Sequence, residues 1–270
     1  MLHMESPTTP AAPAPDRLPL SSAAALRAGL GSLLHTASTG STNDDLASGA
    51  RRGDRTPAVL VADHQTAGKG RLGRRWVDAA AAGSPEASLL VSFRLPATVA
   101  EASDRAAAVS AAALAAAAGA LDDSAAEVRA KWPNDLLLEG PGVAGKLAGV
   151  LSEIVDGEPP VVVVGLGLNV AAAPPEPGAV SLAQAGAGAS RDEVLAWLLD
   201  GLGRYLADPA RARRELRAAS ATIGRNVRVE LADGTSVEGV AQQIDGAGRL
   251  LVSSGHRDFR IDAGDVIHLR

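Results

Sequence analysis

The 270-residue chain contains no cysteine. Disulfides, thiolate metal ligands and a cysteine nucleophile are therefore excluded, and the composition fits a cytoplasmic protein. Aromatic residues make up 2% of the chain against 46% hydrophobic residues overall. Packing must then rest on alanine contacts, with leucine and valine as the larger fillers. Long hydrophobic runs are missing too. The longest, residues 106–121, is mostly alanine and is interrupted by Ser110 and Gly119. It is too short and too weakly apolar to span a bilayer, and reads as a buried helix with Asp104 near its start. No membrane association is expected. Residues 1–20 have almost no large apolar side chain and lack the charged start and apolar core of a signal peptide. Their Pro, Ala, Ser and Thr content predicts a disordered arm. The formal net charge of -5 argues against broad nucleic-acid binding.

The length suffices for one large domain and one small one. Residues 20–34 read as a short first helix. Ser41-Thr42-Asn43 before Asp44-Asp45 is a helix start, with a hydroxyl cap and acids in the first turn. Residues 58–62 and 88–95 read as strands, and 101–121 as the alanine-rich helix. Residues 128–132 and 135–138 flank Pro133 and suggest a bent or interrupted strand. Residues 147–155 and 161–165 suggest a hairpin. Ser190 and Glu193 form a capping-box pattern ahead of a helix to about residue 207, with Trp197 and Tyr205 as core residues. An arginine-rich helix follows to about residue 219. Beyond Thr222, five short segments separated by Asp-Gly and Ser-Gly turns predict a small β-barrel of the SH3-like kind. The expected division is a disordered arm at 1–20, a catalytic or binding domain at 21–221 and a small barrel at 222–270.

Polar chemistry is concentrated in a few segments. Gly68-Lys69-Gly70-Arg71-Leu72-Gly73-Arg74-Arg75-Trp76 joins three glycines to four cations and a tryptophan. Glycine lets backbone N–H groups approach a ligand closely, and arginine forks suit phosphate oxygens. Gln65 stands just before it. The others are Gly40-Ser41-Thr42-Asn43, Lys131-Trp132-Pro133-Asn134-Asp135, Gly145-Lys146-Leu147-Ala148-Gly149 and Gly165-Leu166-Gly167-Leu168-Asn169. Gly165-Leu166-Gly167 is not a full dinucleotide fingerprint, because Val170 occupies the place of the third glycine. No Walker A pattern is present. His64, with no second ligand in view, reads as structural. Lys146 falls in an expected buried strand. There it needs an anionic partner, either a ligand or a structural carboxylate.

In this order and at these spacings the five segments resemble the biotin protein ligases, over about residues 35–270. The resemblance implies an α+β fold: a mixed-sheet catalytic domain of the class II synthetase-like biotin/lipoate ligase type, plus the SH3-like barrel. It implies activation of biotin by ATP to biotinyl-5′-AMP, then transfer to a lysine of a biotin carboxyl carrier domain. Carried onto this sequence, Lys146 and Arg71 become the catalytic cations. Ser41, Thr42, Asn43, Gln65, Gly68, Arg71, Lys146, Gly149, Gly165 and Gly167 become the biotin site. Gly70, Arg71, Arg74, Trp76, Lys131, Asn134, Asp135 and Asn169 become the nucleotide site. Magnesium is implied with the nucleotide, Asp135 being its candidate contact. The family loop commonly reads Gly-Arg-Gly-Arg-Arg-Gly-Arg, so Lys69 and Leu72 are departures that reduce bidentate capacity. Residues 78–87 are expected to extend the mobile loop. Repressor-type members carry a DNA-binding domain for which the residues before the match leave no room, so a monofunctional ligase that binds no operator DNA is expected, as a monomer or a weak ligand-dependent dimer. A lipoate or octanoate ligase of the same fold and a non-catalytic biotin-binding regulator are the competing readings.

Overall fold

The computed structural model describes residues 16–79 and 84–269. Seven strands form the larger sheet: β1 (Leu33–Thr39), β2 (Ala58–Gln65), β3 (Ser88–Pro96), β4 (Glu127–Lys131), β5 (Asp135–Gly140), β6 (Val143–Val155) and β7 (Val161–Asn169). Their order is β1-β2-β3-β7-β6-β5-β4. The β1–β2 pair is parallel and the others are antiparallel. Helices cover both faces, so β3 and β7 at the centre read as nearly continuous apolar runs. On one face lie α1 (Pro19–Arg27), α3 (Ala102–Gly119) and α4 (Arg191–Ala207), with α5 (Pro209–Ala218) packed on α3. On the other lies α2 (Thr42–Arg51), whose Leu46, Ala47 and Ala50 meet Val155, Val161 and Val163.

The scarcity of aromatics shows in how the helices meet. α3 buries six alanines beside Val109 and Leu114. A methyl group built on Gly201 of α4 would stand 3.6 Å from the Ala112 Cα. The two helix backbones are thus separated by little more than single methyl groups.

Several elements differ from the sequence reading. The first helix stops at Arg27, and 33–39 is a strand rather than a continuation. Gly29 and Gly31, at φ 71 and 73, turn the chain out of the helix. Within the expected arm of residues 1–20, Leu18 is buried and Pro19 opens α1; the rest of that expectation, residues 1–15, lies outside the described residues. Of the two forms expected around Pro133, the interrupted one is found: β4 and β5 form an antiparallel hairpin, with Pro133 in the turn where no ladder hydrogen bond is lost. The capping box forms as expected: Ser190 Oγ accepts from the Glu193 amide, and the Glu193 carboxylate accepts from the Ser190 amide. Tyr205 is buried and donates to Glu215, and burial pushes its hydroxyl up to about 12. Trp197 is not a core residue. It is 43% exposed, because α4 turns residues 194, 195, 198, 199 and 202 inward and leaves 197 on the outer side.

The C-terminal strands are β8 (Asn226–Glu230), β9 (Ser236–Ile244), β10 (Leu250–Ser254), β11 (Arg257–Ile261) and β12 (Asp265–His268), in the order β11-β10-β9-β8-β12. The five strands are those expected. They make one antiparallel sheet, the small SH3-like unit expected, whose hydrogen bonding stays open between β11 and β12. Its core of Val227, Val229, Ala241, Leu250, Val252, Ile261 and Val266 is completed by Trp132 from the β4–β5 turn. The Trp132 indole donates to Gly248 O at 2.9 Å, and its amide donates to Thr222 Oγ1 at 3.1 Å.

Candidate functional site

A cleft of about 450 Å³ opens on the α2 face of the larger sheet. Period-2 alternation explains its floor. Gly165, Gly167 and Asn169 of β7 and Gly149 and Leu151 of β6 point into it, while Leu166, Leu168, Val150 and Ala148 also pack in the main core. The glycines are spatial requirements. A methyl group on Gly165 would lie 2.9 Å from Asn43 Cγ and closer still to its Oδ1. One on Gly149 would lie 3.1 Å from the Trp76 ring.

At one end, the start of α2 brings Ser41, Thr42 and Asn43 into the cleft, all three buried. Gln65, at the end of β2, accepts the Thr42 amide on Oε1 at 2.8 Å. This end is neutral and rich in hydrogen-bonding groups.

The glycine-rich loop closes the other end. Gly68 O accepts the Trp76 amide at 2.9 Å, which folds the loop back on itself. Arg71–Gly73 form a single 3-10 turn with Leu72 at φ 55, a left-handed conformation unusual for leucine. Each cation of the loop has an oxygen partner. Lys69 pairs with Asp44 at 2.5 Å and Arg74 with Asp265 at 2.9 Å. Arg75 donates to Thr66 O. Arg71 donates to Asn134 Oδ1 at 3.3 Å and Gly264 O at 3.2 Å. Burial pulls the Arg71 guanidinium below its ordinary pKa, against the pull of Asp265 and Asp135. The loop therefore also touches the C-terminal sheet.

Between the two ends stands Lys146. Its ammonium is 2.8 Å from Asp135 and 5.6 Å from the centre of the Trp76 ring. The side chain is 42% exposed, so the expectation of a buried lysine is corrected: β6 turns it into the cleft instead. Its partner here is a carboxylate, one of the two possibilities the sequence left open.

Most of the expected residues converge. Ser41, Thr42, Asn43, Gln65, Gly70, Arg71, Arg74, Trp76, Asn134, Asp135, Lys146, Gly149, Gly165, Gly167 and Asn169 all line the cleft. Two do not. Gly68 lies behind Trp76, where a side chain would strike Trp76 O. Lys131 lines a second cavity of about 340 Å³, between α3, α5 and the β9–β10 turn. His64 Nδ1 lies 3.1 Å from the Asp78 carboxylate. Residues 80–83 of the expected loop extension lie outside the described residues. The sequence reading missed Ser92, Glu176 and Ala179, which also line the cleft. For Ser92 a signal existed: a hydroxyl between Val91 and Phe93, in the apolar middle of a strand whose other polar residues, Ser88 and Arg94, lie towards its ends.

Two buried polar atoms in this cleft have no hydrogen-bond partner, Trp76 Nε1 and Asn169 Oδ1. A buried orphan costs about 1–3 kcal/mol, so each atom calls for a partner that the described residues do not supply. Asn169 Nδ2 already donates one hydrogen to Val180 O at 2.9 Å, so the atom without any partner is the acceptor Oδ1.

Among the described residues no group of three His, Cys, Asp or Glu side chains is placed to hold a metal. Asp135, the expected magnesium contact, faces the Lys146 ammonium. The donor set does not build a resident metal site.

Comparison with known proteins agrees with this geometry. Residues 37–169 match the model of the biotin/lipoate A/B protein ligase family, and residues 222–269 match that of the biotin protein ligase C-terminal domain. A biotin–[acetyl-CoA-carboxylase] ligase of Mycobacterium tuberculosis is 42% identical over 251 residues, covering 87% of this chain and 88% of the relative. The enzyme of the same name from Paracoccus denitrificans is 34% identical, covering 72% and 83%. The biotin protein ligase of Aquifex aeolicus, solved with biotin and ATP, superposes with a TM-score of 0.66 at 23% identity, over 88% of this chain and 98% of that one. The cleft, the loop and the matches over most of the chain agree: this chain belongs to the biotin protein ligases, within the biotin/lipoate A/B protein ligase family.

Proposed function

We propose that the chain is an ATP-dependent ligase that activates biotin as biotinyl-5′-AMP and transfers it to a lysine of a biotin carboxyl carrier domain. The observation that carries this reading is the polarity of one continuous cleft. A neutral hydrogen-bonding end (Ser41, Thr42, Asn43, Gln65) and a cationic loop end (Arg71, Arg74) are bridged by a single ammonium, that of Lys146.

A free carboxylate is a poor acylating agent, because oxide would have to leave. Its oxygen instead attacks the α-phosphorus of ATP and displaces pyrophosphate. The acceptor lysine amine then attacks the acyl carbon, loses a proton and expels AMP. No covalent enzyme intermediate is needed, in keeping with the absence of cysteine. Lys146 lies where the ligand carboxylate and the α-phosphate would meet, and offsets charge that builds there. Arg71 and Arg74 exchange their present oxygen partners, Gly264 O and Asp265, for phosphate oxygens. The Trp76 ring covers the glycine floor and keeps water from the mixed anhydride. Asn169 Oδ1 offers an acceptor to an amino edge such as that of adenine. Magnesium enters as part of the MgATP substrate.

The test is mass spectrometry of the purified chain with biotin, MgATP and a carrier-domain acceptor, beside Lys146→Ala. Biotin-dependent AMP release with a biotin mass added to the acceptor, lost in the variant, is expected. Transfer of lipoate in place of biotin, or binding of biotin without AMP release, would overturn the reading.

A further inference from the structure

Ser92 sits at the middle of β3, wholly buried, with its hydroxyl directed at the ring end of the cleft. Its Oγ is 2.6 Å from Asn43 Oδ1 and 2.7 Å from Thr42 Oγ1. Thr42 Oγ1 is in turn 3.1 Å from Gln65 Oε1. Four oxygens therefore stand in a row, Asn43–Ser92–Thr42–Gln65, with three contacts between neighbours. The two amide oxygens are acceptors, and each hydroxyl has one proton. The amide orientations follow from the backbone. Asn43 Nδ2 donates to Leu151 O at 3.4 Å, and Gln65 Oε1 accepts the Thr42 amide. Three contacts share two protons.

The distances say where those protons go. The two short contacts need them, since unprotonated lone pairs at 2.6–2.7 Å in a dry site repel. Ser92 donates to Asn43, and Thr42 donates to Ser92. The longer contact at Gln65 is left without a hydroxyl proton. Thr42 Oγ1 and Gln65 Oε1 then face the cleft as a pair of acceptors, beside Asn43 Oδ1. Such an end suits a ring that presents two N–H donors, as a cyclic urea does. A dithiolane ring or an alkyl chain has none to offer, and would leave the acceptors desolvated and unpaired.

We propose that Ser92 is a positioning residue. By drawing the Thr42 proton inward it sets the hydrogen-bond polarity of the ring end, and with it the preference for a cyclic urea over a ring without N–H groups. This rests on the ligase reading above. Ser92 acts through Thr42 and Asn43 and has no part in the acyl transfer.

The test compares wild type, Ser92→Ala and Ser92→Thr by calorimetric titration with biotin and with lipoate, together with steady-state kinetics in biotin and in ATP. In Ser92→Ala the Thr42 hydroxyl turns to Gln65 Oε1, its remaining partner. Biotin Kd and KM are expected to rise about tenfold or more, narrowing the gap to lipoate. The kcat at saturating biotin and the KM for ATP should stay within about twofold. Ser92→Thr, which keeps the hydroxyl, should recover most of the affinity. Should the alanine variant unfold, Ser92→Cys keeps the volume, weakens both hydrogen bonds and should show the same split. Wild-type biotin affinity retained in Ser92→Ala would overturn the proposal. So would an equal loss in biotin and ATP parameters, the mark of a merely structural role. Failure of the wild type itself to bind biotin would instead overturn the ligase reading, and this proposal with it.

Discussion

Gly167→Ala offers a strict test of the cleft geometry. The Trp76 indole lies directly on this glycine, and an added methyl group would stand 2.6 Å from Nε1 and nearer still to Cε2. Non-bonded heavy atoms settle at about 3.5–4.0 Å. The ring must therefore retreat by roughly 1 Å or more. Trp76 hangs on a glycine-rich loop, so the fold can absorb that movement, and the stability loss should stay at or below the roughly 1–3 kcal/mol typical of overpacking. The ligand cannot absorb it, because the floor of its cleft has risen and the cover has moved. Displacement by about 1 Å near a reaction centre lowers rates by about 10²-fold. A drop of that order in kcat/KM for biotin is expected, measured by biotin-dependent AMP release at a temperature where the variant remains folded. Gly119→Ala is the control. A methyl there meets nothing within 4 Å, and activity should be unchanged while α3 gains slightly in stability. If Gly167→Ala kept kcat/KM within about threefold of wild type, the stacking of Trp76 on the glycine floor would not matter to function, and the reasoning would fail.

Three further outcomes are expected. Lys146→Ala should lower kcat by about 10²- to 10³-fold with little change in melting temperature, since the ion pair with Asp135 is partly exposed; retention of half the activity would exclude Lys146 from the chemistry. Ser190→Ala removes the α4 capping box and should cost about 1 kcal/mol, read as a melting temperature lower by about 2–4 °C with unaltered kinetics. Burial, then the charges of Lys131 and Arg225, holds His268 below its ordinary pKa. The unfolded chain thus takes up this proton first as the pH falls, so stability declines below about pH 6.5, towards the lower folded-state pKa. His268→Gln should flatten that part of a melting-temperature profile, and an unchanged slope would show that other groups govern it.

The features legible in the sequence were those fixed by neighbours along the chain. Ser190 and Glu193 lie one helical turn apart, and the β6–β7 hairpin turns over a few residues. The five polar segments could be recognised together because their order survives without any knowledge of the fold. What escaped depended on distant partners. Leu33–Thr39 becomes a strand because β2 lies alongside it, and nothing local in Leu-Leu-His-Thr requires that. Trp197 faces outward because Val194, Leu195 and Leu198 already fill the core side of α4. Lys146 meets Asp135 only because β5 pairs with β6. Ser92 gained its significance from Thr42 and Asn43, 50 and 49 residues away in the chain.

Trp132 belongs by sequence to the larger domain and by packing to the smaller. Its amide is bonded to Thr222, 90 residues further on. The seam in the chain and the seam in the core are therefore offset. A fragment beginning at residue 222 would hold a void the size of an indole at its centre, and the remainder would carry that indole bare in water. The two halves should melt together, in one calorimetric transition rather than two. Because Asn134 and Asp135 follow Trp132 into the cleft, loosening the small sheet should reach the substrates before it unfolds the chain.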